Sequence, residues 1–342
     1  MKVYKGAIIG FGQVVENGHV PAFAQKAARF EISAIADGSP ARLEAAKKHY
    51  PSARFYSDAK EMLRAERGLD FAVIGTPPLY HADITALCLK KGLHVLCEKP
   101  LTLKPSVAQR LGKLAAKKQL CLFTVHNWKN APPLAKALEL IKSGAIGAVN
   151  HAELHVLRSK AAVTANGDNW RENPAISGGG IMVDHGWHNF YLARALTGRE
   201  PVAVTVLLHR ADAVSTEDAA SCLIGFEGGA TALIHLTWRS PIRKNYVCAY
   251  GDKGIIEVLD SDVVLETKEG GRQTFPTGEK LSGGSAHPTW MTGLLDDFAA
   301  ELDDPSRRGE NFREALACAF LTEKGYKSAS AGKSRSLPAL SR

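Results

Sequence analysis

Short apolar runs alternate with stretches of helical periodicity through the first third of the chain. Gly6 to Ile9 leads into Gly10-Phe11-Gly12-Gln13-Val14-Val15, and Ile32 to Ala36 ends in Asp37. Further runs near 70–75, 93–97 and 120–125 predict strands. Helices are expected after Gly12 and at about 40–49, 80–91 and 105–118. This rhythm predicts a parallel sheet covered on both faces. Near residue 122 the pattern changes. After a helix at about 131–143 come strand-like runs at 148–158, 202–210, 219–226, 230–238, 245–250, 254–259 and 262–267. Turn residues such as Glu227-Gly228-Gly229 and Gly251-Asp252 separate several of them, which reads as an antiparallel meander. A long helix over about 180–197 interrupts the meander, and helices near 289–303 and 311–331 close the chain. The Ser-, Ala-, Lys- and Arg-rich tail after Gly325 is expected to be loose.

The first forty residues carry the sharpest signal. A strand, a tight glycine turn, a helix and a second strand closing on an acid is the layout of a dinucleotide-binding βαβ unit. Glycine lets the backbone approach a pyrophosphate, and the helix N-terminus offers N–H groups to that anion. Gly10, Gly12, Gln13 and Val14 are therefore candidate cofactor contacts. Asp37 is placed to accept the ribose hydroxyls of an adenosine and to repel a 2′-phosphate, which favours NAD over NADP. Arg42, five residues on, would suit a 2′-phosphate, so NADP stays open. Val15 stands where the fingerprint has its third glycine, so the helix is expected to sit a little farther from the strand. The fold class is thus α/β plus α+β. A Rossmann domain over 1–121 is followed, over 122–342, by a substrate and oligomerisation domain with an open, mainly antiparallel sheet backed by helices. A ligand is expected at the carboxyl ends of the parallel strands.

Composition narrows the class. The 342 residues are 45% hydrophobic and 23% charged, as in ordinary globular proteins of two domains. No apolar stretch is long enough to span a membrane. The chain enters its first strand by residue 6, leaving no room for a signal peptide, so a cytoplasmic protein is expected. Six cysteines without C-x-x-C spacing sit in apolar segments, which suits reduced, buried thiols and neither zinc nor disulfides. The net charge of +8 lies wholly in residues 1–121, which carry +9 against −1 for the remainder. That excess could steer an anionic cofactor, or be no more than a solvated surface. Basic clusters interleaved with aromatics are missing, so no nucleic-acid partner is expected.

Three segments carry candidate chemistry. Thr76-Pro77-Pro78-Leu79-Tyr80-His81 follows a strand and is stiffened by proline. His94-Val95-Leu96-Cys97-Glu98-Lys99-Pro100 delivers an acid and a lysine to a strand end, where Lys99 could polarise a reacting oxygen or be one half of a surface pair. Gly178-Gly179-Gly180 precedes Asp184-His185-Gly186-Trp187-His188. Asp184 and His188, four apart, share a helix face, while His185 projects about 100° away. A carboxylate beside an imidazole holds its tautomer and stabilises its protonated form. A metal would need a third ligand, and none is suggested.

Taken in order, these motifs resemble the Gfo/Idh/MocA oxidoreductases, the family of glucose-fructose oxidoreductase and inositol dehydrogenase. They are the glycine turn with Asp37, Thr76-Pro77-Pro78-x-x-His81, Glu98-Lys99-Pro100, Trp170-Arg171, the Gly178–Gly180 run and Asp184-x-x-x-His188. The resemblance implies an NAD(P)-dependent enzyme acting on a ring hydroxyl of a sugar or cyclitol. It implies Lys99, Asp184 and His188 as the catalytic trio, with Lys99 also beside the cofactor, and Thr76, Pro77, His81 and Glu98 as cofactor neighbours. It also implies a Lys99-Pro100 bond that can be cis and a homodimer or homotetramer joined through the open sheets. Tyr191 stands where many members have Asp, and His126-Asn127-Trp128-Lys129 where many have an arginine-containing segment, so no named relative's substrate transfers. Asn127, Lys129, Trp170, Arg171 and His188 are candidate substrate contacts, and His126 and His287 candidate pocket lining. Two other readings stay open: an NAD-dependent glycosidase working by transient oxidation and elimination, and a non-catalytic NAD-binding sensor.

Overall fold

The computed structural model describes residues 2–161, 173–212, 215–284 and 287–340. The chain divides into two compact units: Met1–Asn127 with Ala286–Leu316, and Trp128–Ser285 with Ala317–Arg342. A single cut at 121/122 does not include the return of 286–316 to the first unit.

In the first unit, β1 (Tyr4–Ile9), α1 (Val20–Gln25), β2 (Phe30–Ala36), α2 (Pro40–His49), β3 (Arg54–Tyr56), α3 (Ala59–Ala65), β4 (Phe71–Ile74), α4 (Pro78–Lys91), β5 (His94–Cys97), α5 (Pro105–Lys117) and β6 (Leu122–Thr124) follow one another. The strands pair in parallel in the order β3-β2-β1-β4-β5-β6. The order reverses beside β1, so β1 and β4 flank the switch point where such sheets take a ligand. Strand β3 and helix α3 escape the sequence reading because both are short and partly exposed; Asp58 starts α3 by accepting from Glu61 N at 2.8 Å. The helix Pro288–Asp303 belongs to this unit because Phe298 packs with Phe30, Phe71 and Phe123 at ring separations of 5.5–6.0 Å. Asn311 then closes the β6 edge, accepting from Thr124 N at 2.6 Å and donating to Thr124 O at 3.0 Å.

The second unit contains α6 (Pro132–Lys142), β7 (Val149–Leu157), α7 (Pro174–Ser177), a π-turn over Met182–Gly186 that runs into α8 (Trp187–Thr197), and then β8 (Pro201–His209), β9 (Ala219–Phe226), β10 (Thr231–Thr237), β11 (Lys244–Gly251), β12 (Gly254–Leu259), β13 (Asp262–Thr267), β14 (Arg272–Pro276) and β15 (Arg335–Ser336). Among the described residues the sheet order is β14-β13-β12-β11-β7-β10-β9-β8-β15. It is a meander with one exception: β7 and β10 run parallel. The chain leaves β7 through α8 and returns by β8, β9 and β10, a crossover that only a parallel neighbour needs. Residues alternate along most of β7 and β10, with Ala152, Leu154, Val156, Ala232, Ile234 and Leu236 buried. Against the buried face pack the fully buried Trp187, Phe190 and Tyr191 of α8. The expectation of a loose tail after Gly325 is overturned. The last helix continues to Ala331 and β15 pairs with β8. Ser328 fixes the turn between them, accepting from Val206 N at 3.1 Å and donating to Lys333 O at 2.8 Å.

The long helix expected over 180–197 starts differently from an ideal α-helix. Its first turn carries one extra residue, and that turn is anchored by Glu217, a carboxylate with 1% exposure. Glu217 Oε1 accepts from Gly180 N at 2.8 Å, Met182 N at 3.2 Å and the Tyr326 hydroxyl at 2.7 Å. The glycine run permits this approach: a Cβ on Gly180 would lie 2.0 Å from Glu217 O. The six cysteines are buried. Among the described residues no helix is long and apolar enough to cross a membrane. Gly180→Ala should destabilise the fold by about 1–3 kcal/mol through overpacking against backbone, read as a lowered Tm in thermal unfolding. Gly38→Ala, where nothing lies within 4 Å of the added carbon, should leave Tm nearly unchanged.

Candidate active site

The first unit builds its site around the glycine turn. Gly10 has φ +87°, and a Cβ there would lie 2.7 Å from Thr76 N, so the β1 and β4 turns touch through bare backbone. A Cβ on Gly12 would meet only Gly75 O, at 3.8 Å, which leaves the turn open over the first N–H groups of the helix. Asp37 holds the turn in this shape: Oδ2 accepts from Phe11 N at 2.7 Å and Oδ1 from Ser39 N at 2.8 Å. Val15 is accommodated by a glycine on the neighbouring strand end. Its side chain fills the place of the Cβ that Gly75 lacks, 2.3 Å from where that carbon would stand, so the small residue is supplied by the neighbouring strand end. Gln13 and Val14 begin the helix, and Val14 is exposed. Arg42 lies with its Nη1 3.3 Å from Glu16 Oε2, committed to an ion pair rather than standing alone.

Glu98 ends β5 as a buried carboxylate. Its Oε1 lies 2.8 Å from His19 Nε2, and its Oε2 accepts from Lys99 N at 3.2 Å. Burial by itself raises the Glu98 carboxyl, but the hydrogen bond and charge of His19, with Lys99 and His81 behind it, outweigh burial and hold it below its ordinary range. The Lys99-Pro100 bond is cis. His81 is a strut between two site segments: Nδ1 lies 2.8 Å from Pro100 O and Nε2 2.7 Å from Thr76 O. Burial lowers its pKa, against the pull of those two carbonyls. Pro77 precedes α4, and the Thr76 hydroxyl is buried without a hydrogen-bond partner among the described residues. His126 is buried with Nδ1 2.7 Å from Glu314 Oε2, and His287 stacks on Trp290 at 3.6 Å.

The second unit gathers its candidates on the π-turn. The extra residue there changes the expected faces: His185 Nδ1 lies 3.4 Å from Asp184 Oδ2, so His185 joins the acid it was expected to avoid. His188 follows on α8, nearly buried. Its Nδ1 is 2.8 Å from the Tyr191 hydroxyl, which also accepts from Trp128 N at 3.1 Å. The Trp128 indole lies over the His188 ring at 4.7 Å and 13° and meets His185 edge-on at 6.3 Å. Tyr191 thus fixes the imidazole from the position where an acid is common. Asn127 and Lys129 lie on the 3₁₀ turn Asn127–Asn130 with Trp128. Trp170 and Arg171 lie outside the described residues. Among the described residues no cluster of His, Cys, Asp and Glu fits a metal ion. Sequence reading missed His19, Glu217 and Tyr326. Only His19 left a trace, a polar residue one turn beyond the glycine turn inside an otherwise apolar face.

A parallel sheet with an anion-accepting turn at its switch point, held by an acid at the end of the second strand, defines an NAD-binding Rossmann domain. A family model described as an oxidoreductase family with an NAD-binding Rossmann fold matches residues 4–126, and the GFO/IDH/MocA C-terminal domain matches residues 134–257. The chain belongs to the Gfo/Idh/MocA family. It is similar to D-apiose dehydrogenase of Paraburkholderia graminis, 26% identical over 99% of this chain and 91% of that protein. It is also similar to inositol 2-dehydrogenase of Rhizobium meliloti, 28% identical over 80% and 79%. The alignment to an uncharacterised oxidoreductase of Schizosaccharomyces pombe is 31% identical but spans 61% of this chain and 55% of that one; the chain covers little more than half of several such curated relatives. A levoglucosan dehydrogenase solved with NADH shares the fold, with TM-score 0.87 at 21% identity over 98% of this chain and all of that one.

Glu98 gives the site a pH signature. A carboxyl held below its unfolded pKa adds stability above that value and loses it as pH falls through the folded value. The stability difference between the wild type and Glu98→Gln, measured by urea unfolding, should shrink as pH is lowered below about 5.

Proposed function

We propose that this protein is an NAD-dependent dehydrogenase that interconverts a secondary hydroxyl and a ketone on a sugar, cyclitol or sugar derivative. The observation that carries the reading is the locked imidazole of His188, pinned by Tyr191 and covered by Trp128, on the helix that continues from the π-turn bearing Asp184. A surface histidine needs none of these supports. The nucleotide turn fits the cofactor: Gly10 and Gly12 leave the backbone bare, and Asp37 offers carboxylate oxygens for ribose hydroxyls. NAD, when bound, supplies the hydride acceptor or donor.

The chain's own residues handle position, charge and the proton. In the oxidation direction His188 takes the hydroxyl proton. Lys99 stabilises negative charge developing on that oxygen. Asp184 orients the imidazoles and favours their protonated form. Glu98 fixes the backbone that carries Lys99. The half-exposed outer face of the second sheet, with His151, His155, Tyr246 and Tyr250, suits pairing of copies into a homodimer or homotetramer.

A panel of sugars, cyclitols and their derivatives with NAD and NADP, followed by nicotinamide absorbance, tests the reading; net reduction of added NAD by at least one member is the expected outcome. Cleavage of a glycoside with no net redox change would favour the glycosidase alternative, and binding of NAD without either reaction the sensor. His188→Ala should lower kcat by about 10² to 10⁴ and remove the limb of the kcat/KM profile that rises with pH. Lys99→Ala should lower kcat by about a hundredfold or more while NAD binding changes only a few-fold. Asp37→Ser should narrow the preference for NAD over NADP, measured as the ratio of kcat/KM values.

A further inference from the structure

At one end of the helix-covered face of the second sheet, three buried nitrogen donors on adjacent strands lack an acceptor among the described residues. Leu236 of β10 pairs with Val156 of β7, which pairs with Asn245 of β11. Arg158 and Trp238 come two residues after that row on the same face, the register being kept by the bond from Arg158 N to Thr237 O at 2.9 Å. Arg158 is 3% exposed, Asn245 1% and Trp238 7%. Arg158 Nη1 is fully used, donating to Leu157 O at 2.8 Å, Lys244 O at 3.2 Å and Asn245 Oδ1 at 2.8 Å. The Arg158 Nε, Asn245 Nδ2 and Trp238 Nε1 nitrogens have no acceptor among the described residues.

The charge is unmatched as well. No carboxylate among the described residues lies within ion-pair distance of the guanidinium, although Asp184 and Asp260 are near enough to act on it. Burial first, and then the like charge of Arg243, pull its pKa down to about 10, so it stays charged at neutral pH. Buried donors are normally paired, and a buried cation normally meets an anion. Here the strand ends hold the guanidinium by one corner and leave its Nε edge uncommitted. That edge takes planar, two-oxygen acceptors best. A sugar hydroxyl would leave the charge unmatched, and a phosphate would bring more charge than one guanidinium meets.

We propose that Arg158, Asn245 and Trp238 form a subsite for a carboxylate carried by the substrate, so that the compound is a hydroxylated ring or chain bearing an acid group. The assignment rests on the dehydrogenase reading above and deepens it. The Asp184 carboxylate, within electrostatic reach of Arg158, ties this subsite to the candidate proton-transfer cluster in the same unit.

Thermal-shift and calorimetric titrations of the full chain with matched probes test it: D-glucuronate against D-glucose, D-galacturonate against D-galactose, and quinate against myo-inositol, with and without NAD. At least one acid should bind tenfold or more tightly than its neutral partner. Arg158→Met should remove that difference, and Trp238→Phe, which removes the indole N–H and keeps an aromatic ring, should weaken the acid several-fold while leaving the neutral partner unchanged. If Arg158→Met fails to fold, Trp238→Phe and Asn245→Leu decide by the same measure. Equal binding of acid and neutral partner across the panel, or an acid preference that survives these substitutions, would overturn the subsite. Because binding is read without turnover, acid-selective binding with no nicotinamide reduction would instead sink the dehydrogenase reading and leave the subsite standing.

Discussion

Carboxylates buried or half-buried and held by backbone N–H groups or a side-chain partner organise both units. An ionised carboxylate is costly to bury unless its oxygens are met by donors, and once met it fixes the segments that supply them. Asp37 ties the end of β2 to the glycine turn through Phe11 N. Glu98 joins β5 to His19, one turn beyond that same glycine turn. Glu217 gathers Gly180, Met182 and Tyr326 around the start of the π-turn. Each acid sits at the root of a segment that carries candidate chemistry, so the geometry of the site depends on these few bonds more than on the apolar core.

The apolar core has a different task. In the first unit an aromatic cluster of Phe23, Phe30, Phe71, Phe123 and Phe298 joins the sheet to a helix from near the end of the chain. In the second, alternating residues of β7 and β10 pack under Trp187, Phe190 and Tyr191. That packing supplies a rigid floor. His185, His188 and Tyr191 can then hold fixed ring geometry because they rest on elements packed against the sheet, and Trp128 is tied to them through the Tyr191 hydroxyl and the His188 ring. Rigid support is what lets an imidazole keep one orientation through a reaction cycle.

One extra residue in the π-turn displaces side chains relative to an ideal helix, and single π-turns recur where function needs an unusual arrangement. Here the displacement brings His185 to Asp184. The Gly178–Gly180 run is readable afterwards as the condition for it: without a bare Gly180 the chain could not pass so close to Glu217. A cation left over in the same unit, Arg158, stands on the same packed face and is held by strand-end carbonyls rather than by an acid.

Local chemistry wrote much of this into the sequence. Period-two and period-3.6 patterns, glycine turns and prolines at strand ends are short-range signals, so the alternation of strands and helices, the nucleotide turn with Asp37 and the delivery of Glu98-Lys99 to the end of β5 were all legible before folding. Three kinds of feature were not. The parallel pairing of β7 with β10 and the return of Pro288–Asp303 to the first unit depend on contacts between residues far apart in the chain. The ordered tail depends on β15 finding an edge of β8. The π-turn depends on Glu217 lying across from it, and an i,i+4 spacing read from sequence assumes the very helix that this contact alters. Sequence thus determined which residues were available for chemistry; only long-range packing, which decides what each buried polar group meets, determined how they face one another within each unit.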